Sequence, residues 1–196
     1  MEIDWNVIEK TLKQINPELN IKSYFDNLDN TNIDLIKSDL ILDCTDNLET
    51  RFLIDEYCHK NKIPWIFASV IKQSGYILNI FPDKVSFKDI FSKFSNTETC
   101  EVVGVLNSAV SLISSIQINE AIKILTNNNP EENLVYVNLK NNEILKIKVN
   151  KTKEYSYEYL TGKNLTKTIK LCGQGNYLFP LNKDYNKLKQ LLKPEI

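Results

Sequence analysis

The chain has 196 residues, a formal net charge of −1, and 42% hydrophobic and 25% charged residues. That is enough apolar material for one domain with a real core and a small appendage, and the balanced charge excludes the basic footprint of a nucleic-acid binder. The four cysteines, Cys44, Cys58, Cys100 and Cys172, form no C-x-x-C pair, so neither a zinc site nor a disulfide framework is suggested and they read as reduced thiols in a cytoplasmic protein.

Met1-Glu2-Ile3-Asp4-Trp5 carries no basic and apolar leader, and no apolar run is long enough to cross a membrane, so neither secretion nor membrane association is expected. Within residues 4–15, Val7, Ile8, Leu12 and Ile15 form a helical stripe. Asn16-Pro17 stops it, because a residue before proline is pushed out of the α region. A short strand is expected over Leu19–Phe25, a polar turn over Asp26–Asn32 and one or two helical turns over Ile33–Lys37.

Leu40-Ile41-Leu42 is an apolar run, as in a parallel strand buried on both faces. It ends abruptly in Cys44-Thr45-Asp46-Asn47, and a helix is expected from Leu48 to Lys60. In open α/β sheets ligands bind at the carboxyl end of such a strand. Asp46 stands where a carboxylate can hold a metal ion on a nucleotide phosphate; the alternative is that Thr45, Asp46 or Asn47 caps the helix. Arg51 falls in the first helical turn, where the dipole disfavours a cation. An ion pair with Asp46 or an anion contact would explain it, and so would a plain surface arginine. Phe52, Leu53 and Tyr57 are expected to face the sheet, and His59, the only histidine, to be a solvated residue at the helix end.

Ile63–Val70 reads as the next buried strand, with Pro64 at its start. Ser74-Gly75 reads as a turn and Tyr76–Phe81 as the returning, hence antiparallel, strand. In the weakly patterned stretch Pro82–Thr99, Phe87, Ile90, Phe91 and Phe94 recur at helical spacing and are expected to pack on the domain. Val102–Leu125 is the most apolar helix, with apolar groups around much of its circumference; such a helix is buried, or buried on one side and paired with another subunit on the other. Asn127-Asn128-Asn129-Pro130 ends it. Leu134–Leu139 and Ile144–Val149 form a hairpin about a two-residue turn, Asn141-Asn142. Residues 151–164 are polar and tyrosine-rich, Thr168–Leu171 reads as a short strand and Asp184–Leu192 as a last helix. No internal repeat is visible. The domain boundary is expected near residue 150, dividing residues 1–150 from an appendage at 151–196. The fold class is α/β, parallel strands with an antiparallel, mixed edge.

Three segments together resemble one family. They are Leu42-Asp43-Cys44-Thr45-Asp46-Asn47 with Arg51 and Leu53-Ile54, Ile63–Val70 with Gly75, and Cys100–Leu106 running into Ser115–Leu125. In order and spacing they are similar to the ThiF/MoeB/HesA family, relatives of the ubiquitin-activating enzymes. Ile15-Asn16-Pro17 fits too, and Lys170-Leu171-Cys172-Gly173 is similar to a C-terminal appendage of some members. The resemblance covers residues 4–175 and implies a partial Rossmann-like sheet. It implies Mg-ATP as cofactor, adenylation as chemistry and, as partner, a ubiquitin-like sulfur-carrier protein activated at its C-terminal glycine. By that match Asp46 works with magnesium and ATP, and Thr45, Asn47 and Arg51 line the nucleotide site. Cys100 matches the cysteine that links to the carrier in some members. A helix start favours a thiolate, Glu98 and Glu101 oppose it, and the alternative is a small buried Cys100 without chemistry.

The departures from the family are equally specific. Its glycine-rich phosphate loop has no counterpart among five glycines. Alignment through Ile15-Asn16-Pro17 puts Asp4 near the family's phosphate-contacting lysine, inverting the charge. The two C-x-x-C zinc pairs would fall near Ser86–Asp89 and Thr152–Tyr155, where no cysteine stands, so no zinc is expected. Asn107, Ser108 and Ser111 replace the usual glycine or proline. These features imply a chain that binds Mg-ATP only with a partner completing the site, as a homodimer or with an ATP-binding partner chain. The alternatives are a non-catalytic binding module and an inactive remnant.

Overall fold

The computed structural model describes residues 5–91, 104–149 and 155–162. In chain order its elements are α1 (Trp5–Ile15), a 3₁₀ turn (Ile33–Ile36), β1 (Ile41–Leu42), α2 (Leu48–Asn61), β2 (Trp65–Ile71), β3 (Ser74–Ile80), α3 (Phe87–Phe91), α4 (Asn107–Leu125), β4 (Leu134–Asn138) and β5 (Glu143–Ile147). The five strands lie in sequence order. β1 runs parallel to β2, with Ile41 opposite Trp65; every other pair is antiparallel.

Strand periodicity builds two cores. Trp65 and Phe67 of β2, Tyr76, Leu78 and Ile80 of β3, and Leu134 and Tyr136 of β4 point to one face, where Phe52, Leu53 and Tyr57 of α2 meet them. The intervening Ile66, Ile77, Val135 and Val137 point to the other face and pack on Ile113 and Ala121 of α4. The central strands are therefore apolar at consecutive positions because helices cover both sides. α2 starts where the Asn47 side chain accepts Thr50 N–H, and it stops at Lys62 in the left-handed region, whose N–H returns to the Cys58 carbonyl. Ser86 and Asp89 begin α3 as a reciprocal capping box, Asp89 accepting from Ser86 N–H at 2.8 Å and Ser86 Oγ accepting from Asp89 N–H at 3.2 Å.

Several expectations change. Leu19–Phe25 has the alternation of a strand but is no strand, because among the described residues it has no ladder partner. Phe25 is left 84% exposed. β1 is only two residues long and is an edge strand, so Leu42 is 40% exposed and the run is not buried on both faces. The β2–β3 turn is Lys72-Gln73, with Lys72 at φ 55°, while Ser74 and Gly75 already belong to β3. The loop of the β4–β5 hairpin is 139–142, four residues rather than two. α4 begins at Asn107 rather than Val102 and is buried on one side only: Gln117 and Glu120 face inward beside Ile113 and Ala121, while Ile118 and Ile122 are exposed. His59 is not simply solvated; it stacks on Tyr155 with ring centroids 3.7 Å apart, and its Nδ1 lies 2.8 Å from the Tyr157 hydroxyl. Thr168–Leu171, Lys170–Gly173 and Asp184–Leu192 lie outside the described residues.

Gly75 sets how closely α4 approaches the sheet. A Cβ there would fall 2.4 Å from Ile113 Cγ1 and 3.0 Å from the Ser69 carbonyl. Gly75→Ala is expected to destabilise the chain by roughly 1–3 kcal/mol, as overpacking does. Urea unfolding checks this, and an unchanged midpoint would show that α4 can move away without cost.

Burial also makes the fold sensitive to pH. Asp55 is 1% exposed. Its carboxylate accepts from Phe87 N–H at 2.9 Å, Trp65 Nε1 at 3.3 Å and the Tyr155 hydroxyl at 2.8 Å. Desolvation outweighs these donors and pushes the carboxyl from its ordinary 3.8 to about 6. Between those values the native chain holds a proton that the unfolded chain releases, so stability falls as pH rises across that window. Asp55→Asn, which mimics the protonated acid, should remove a component on the order of 1–3 kcal/mol from the difference in stability between pH about 4 and about 6. Identical pH profiles for the two proteins would contradict this.

Candidate functional site at the carboxyl end of β1

The chain leaves β1 at Asp43, which is 2% exposed. A buried carboxylate needs a charge partner and hydrogen bonds. Asp43 has both: Arg51 Nε donates to Oδ2 at 2.8 Å, and Oδ1 accepts from Thr45 N–H at 2.8 Å and the Thr45 hydroxyl at 2.6 Å. The guanidinium also donates through Nη2 to the Thr45 and Ala68 carbonyls and lies 5.1 Å above the Phe67 ring. Gln117 of α4 donates from the other face of the sheet, to the Asp43 carbonyl at 2.9 Å and the Ile66 carbonyl at 3.3 Å. One network thus joins β1, α2, β2 and α4.

The structure brings Thr45, Asp46, Asn47 and Arg51 together here, in different states. Arg51 is a buried ion-pair partner, not a surface arginine, and its partner is Asp43, not Asp46. Thr45 is half-buried and bound to Asp43. Asn47 is the helix cap, its Oδ1 accepting Thr50 N–H at 2.8 Å. Asp46 is exposed in the bend ahead of that cap, and among the described residues its carboxylate has no hydrogen bond or ion pair. Cys44 is exposed beside it; burial and the Asp43 charge raise its thiol above the usual range. Cys100 lies outside the described residues. Sequence reasoning missed Asp43 and Gln117. Their signals were a carboxylate within an otherwise apolar strand end and a lone amide in an apolar helix.

The geometry fits a metal-bound phosphate at one residue. Asp46 offers hard oxygen donors free of protein partners, and the first turn of the 14-residue α2 stands beside it. The described residues contain no group of three His, Cys, Asp or Glu placed to hold a metal ion by themselves. No helix among them is long and apolar enough to cross a membrane.

The family model described as "ThiF family" matches residues 5–158. The chain belongs to the ThiF family. It is 35% identical over 119 residues to the molybdopterin-synthase adenylyltransferase of Haemophilus influenzae, covering 58% of this chain and 49% of that one. It is 24% identical over 178 residues to the sulfur carrier protein ThiS adenylyltransferase of Bacillus subtilis, covering 85% of this chain and 53% of that one. The ThiF-family chain thus spans about half the length of these curated relatives. Among solved structures, E. coli MccB with MccA-N7isoASN superposes with a TM-score of 0.64 at 12% identity, over 75% of this chain and 49% of that one. That likeness establishes the fold.

The division of labour in the turn is testable by stability. Asn47→Ala should cost about 1 kcal/mol through loss of the cap. Asp46→Ala should change stability by less than about 0.5 kcal/mol, as an exposed position away from the packing does. A larger cost for Asp46→Ala than for Asn47→Ala would mean that Asp46, not Asn47, holds the turn.

Proposed function

We propose that this chain contributes the carboxyl-end half of an adenylation centre, which activates the C-terminus of a ubiquitin-like sulfur-carrier protein once a partner chain supplies the phosphate cradle. One observation carries the reading: Asp46 is exposed and, among the described residues, unengaged at the carboxyl end of β1, while Asp43, Arg51, Thr45 and Gln117 behind it are tied to one another and to the main chain. The relatives named for adenylation of sulfur carriers support it. Asp46 would hold the magnesium of Mg-ATP, and the cap at Asn47 would orient the first turn of α2 towards the phosphates. Mg-ATP, when bound, supplies the adenylyl group and neutralises charge on the pyrophosphate that leaves. Arg51 acts behind the site, fixing the turn through Asp43.

The reading with a partner is supported by the open side of the sheet. Among the described residues β1 is an edge, Leu19–Phe25 has no ladder partner, and α1 exposes Val7, Ile8, Leu12 and Ile15. Apolar edges and faces of this kind are covered in stable proteins. α4 offers a second surface, with Val110, Ile118, Ile122 and Leu125 exposed along it. The non-catalytic binding module is the second reading. Its support is that the Arg51 guanidinium already donates through Nε to Asp43 and through Nη2 to Thr45 and Ala68, and is buried among them.

Calorimetry and pyrophosphate exchange separate the two. The chain alone should show no micromolar Mg-ATP affinity. With its partner and a carrier protein it should support ATP–pyrophosphate exchange, and Asp46→Ala should lower that exchange roughly a hundredfold, equivalent to about 3 kcal/mol of lost charge stabilisation. Tight ATP binding by the chain alone would overturn the split site. Exchange that survives Asp46→Ala would overturn the role of that residue.

Assembly is tested on α4. Ile122→Lys should weaken self-association or partner binding in ultracentrifugation with little loss of stability. Ile116→Lys should instead unfold the chain, because Ile116 packs against the α4 core. A monomer unchanged by Ile122→Lys, with and without partners, would remove α4 from the interface.

A further inference from the structure

Four side chains of α2, Phe52, Asp55, Glu56 and His59, stand at i, i+3, i+4 and i+7 and share one face of the helix. All four engage residues 155–162. Phe52 stacks on Tyr159 at 5.1 Å, Asp55 accepts the Tyr155 hydroxyl, and His59 stacks on Tyr155. Glu56 is fully buried and accepts two main-chain N–H groups of that segment, from Glu158 at 2.9 Å and from Leu160 at 2.7 Å.

Lys88 of α3 closes the arrangement from the opposite side. Its ammonium pairs with Glu56, donates to the Ser156 carbonyl and lies 3.2 Å from the Ser156 hydroxyl. It also stands 5.1 Å from the centroid of the Tyr155 ring and 5.9 Å from that of Tyr159. Two adjacent buried carboxylates are costly unless they are compensated. Here much of the compensation comes from residues 155–162: Glu56 would lose two N–H donors without them, and Asp55 would lose a hydroxyl donor. Tyr159 then forms one wall of a cavity of about 210 Å³, whose other walls include Leu28, Glu49, Thr50 and Leu53. That cavity adjoins the first turn of α2, the turn that follows Asp46 and Asn47.

We propose that residues 155–162 are a strap, clasped across α2 by Asp55, Glu56 and Lys88, whose seating closes the cavity beside the first turn of α2. Release of the strap opens that cavity, uncovers Phe52 and loosens the turn that presents Asp46. The strap is thus a conformational control on the candidate site, and it stands on these contacts whether or not the site binds nucleotide.

Amide hydrogen exchange on the full chain tests this with Glu56→Gln and Lys88→Met. Exchange at Glu158 and Leu160 should rise roughly tenfold or more in both variants, and exchange at residues 49–53 should rise with it, while β2 and β3 keep their protection. Unchanged exchange at Glu158 and Leu160 in both variants would mean that there is no clasp. A released strap with unchanged exchange at residues 49–53 would mean that it does not close the cavity. Loss of protection in β2 and β3 to the same extent would make 155–162 an ordinary part of the global fold and overturn the proposal. Should Glu56→Gln fail to fold, Lys88→Met and Tyr159→Ala decide, the latter removing the cavity wall together with its stack on Phe52 while leaving the Glu56 clasp in place, and expected to speed exchange at residues 49–53.

Discussion

The ion pair between Arg51 and Asp43 is the constraint on which the rest of this structure depends. Arg51 is 5% exposed and Asp43 2%, so neither charge can be satisfied by solvent. Either alone would be a strongly destabilising buried charge. Together, with Thr45 and the Ala68 carbonyl bonding the charged groups and Gln117 bonding the Asp43 main chain, they tie the end of β1 to α2, β2 and α4. The position of the turn after β1 is fixed from behind, which lets Asp46 stand in solvent without holding anything together. A residue with no structural duty, presented by a rigid frame at the carboxyl end of a parallel strand, is what a binding site in this fold class requires.

The same logic of buried charge recurs on the other side of α2. Asp55 and Glu56 occupy interior positions and draw donors from α3, from β2 and from residues 155–162, far along the chain. Polar pairing inside the molecule thus decides which distant segments are brought together, and apolar packing between α2, the sheet and α4 supplies most of the cohesion. α1 and Leu19–Phe25 are outside both systems. They carry apolar groups but bury little of them.

Much of this was legible in the sequence. Asn47 at the start of α2 and the consecutive apolar residues of Ile63–Val70 each specify local structure by short-range physics, and α2 and β2 formed within two residues of the expected bounds, while the β4–β5 hairpin formed about a longer loop than expected. What failed depended on partners remote in sequence. Leu19–Phe25 alternates correctly, but a strand exists only against a neighbour. The first-turn position of Arg51 announced a charge partner, yet sequence spacing could not tell Asp43 from Asp46; the strand end directs Asp43 inward and leaves Asp46 in the bend. The apolar residues of α4 cover much of its circumference, and only the sheet shows that Gln117 and Glu120 face it while Ile118 and Ile122 do not. Of the candidate site, Thr45, Asp46, Asn47 and Arg51 were visible as a cluster, whereas the roles dividing them were not.

A double-mutant cycle on Arg51→Met and Asp43→Asn, read by urea unfolding, tests the central claim most directly. Each single change should be costly and the pair should be coupled by about 2 kcal/mol or more, within the range seen for residues in one buried network. A coupling near zero, with Arg51→Met as stable as the unaltered chain, would contradict it and return Arg51 to the role of a phosphate contact.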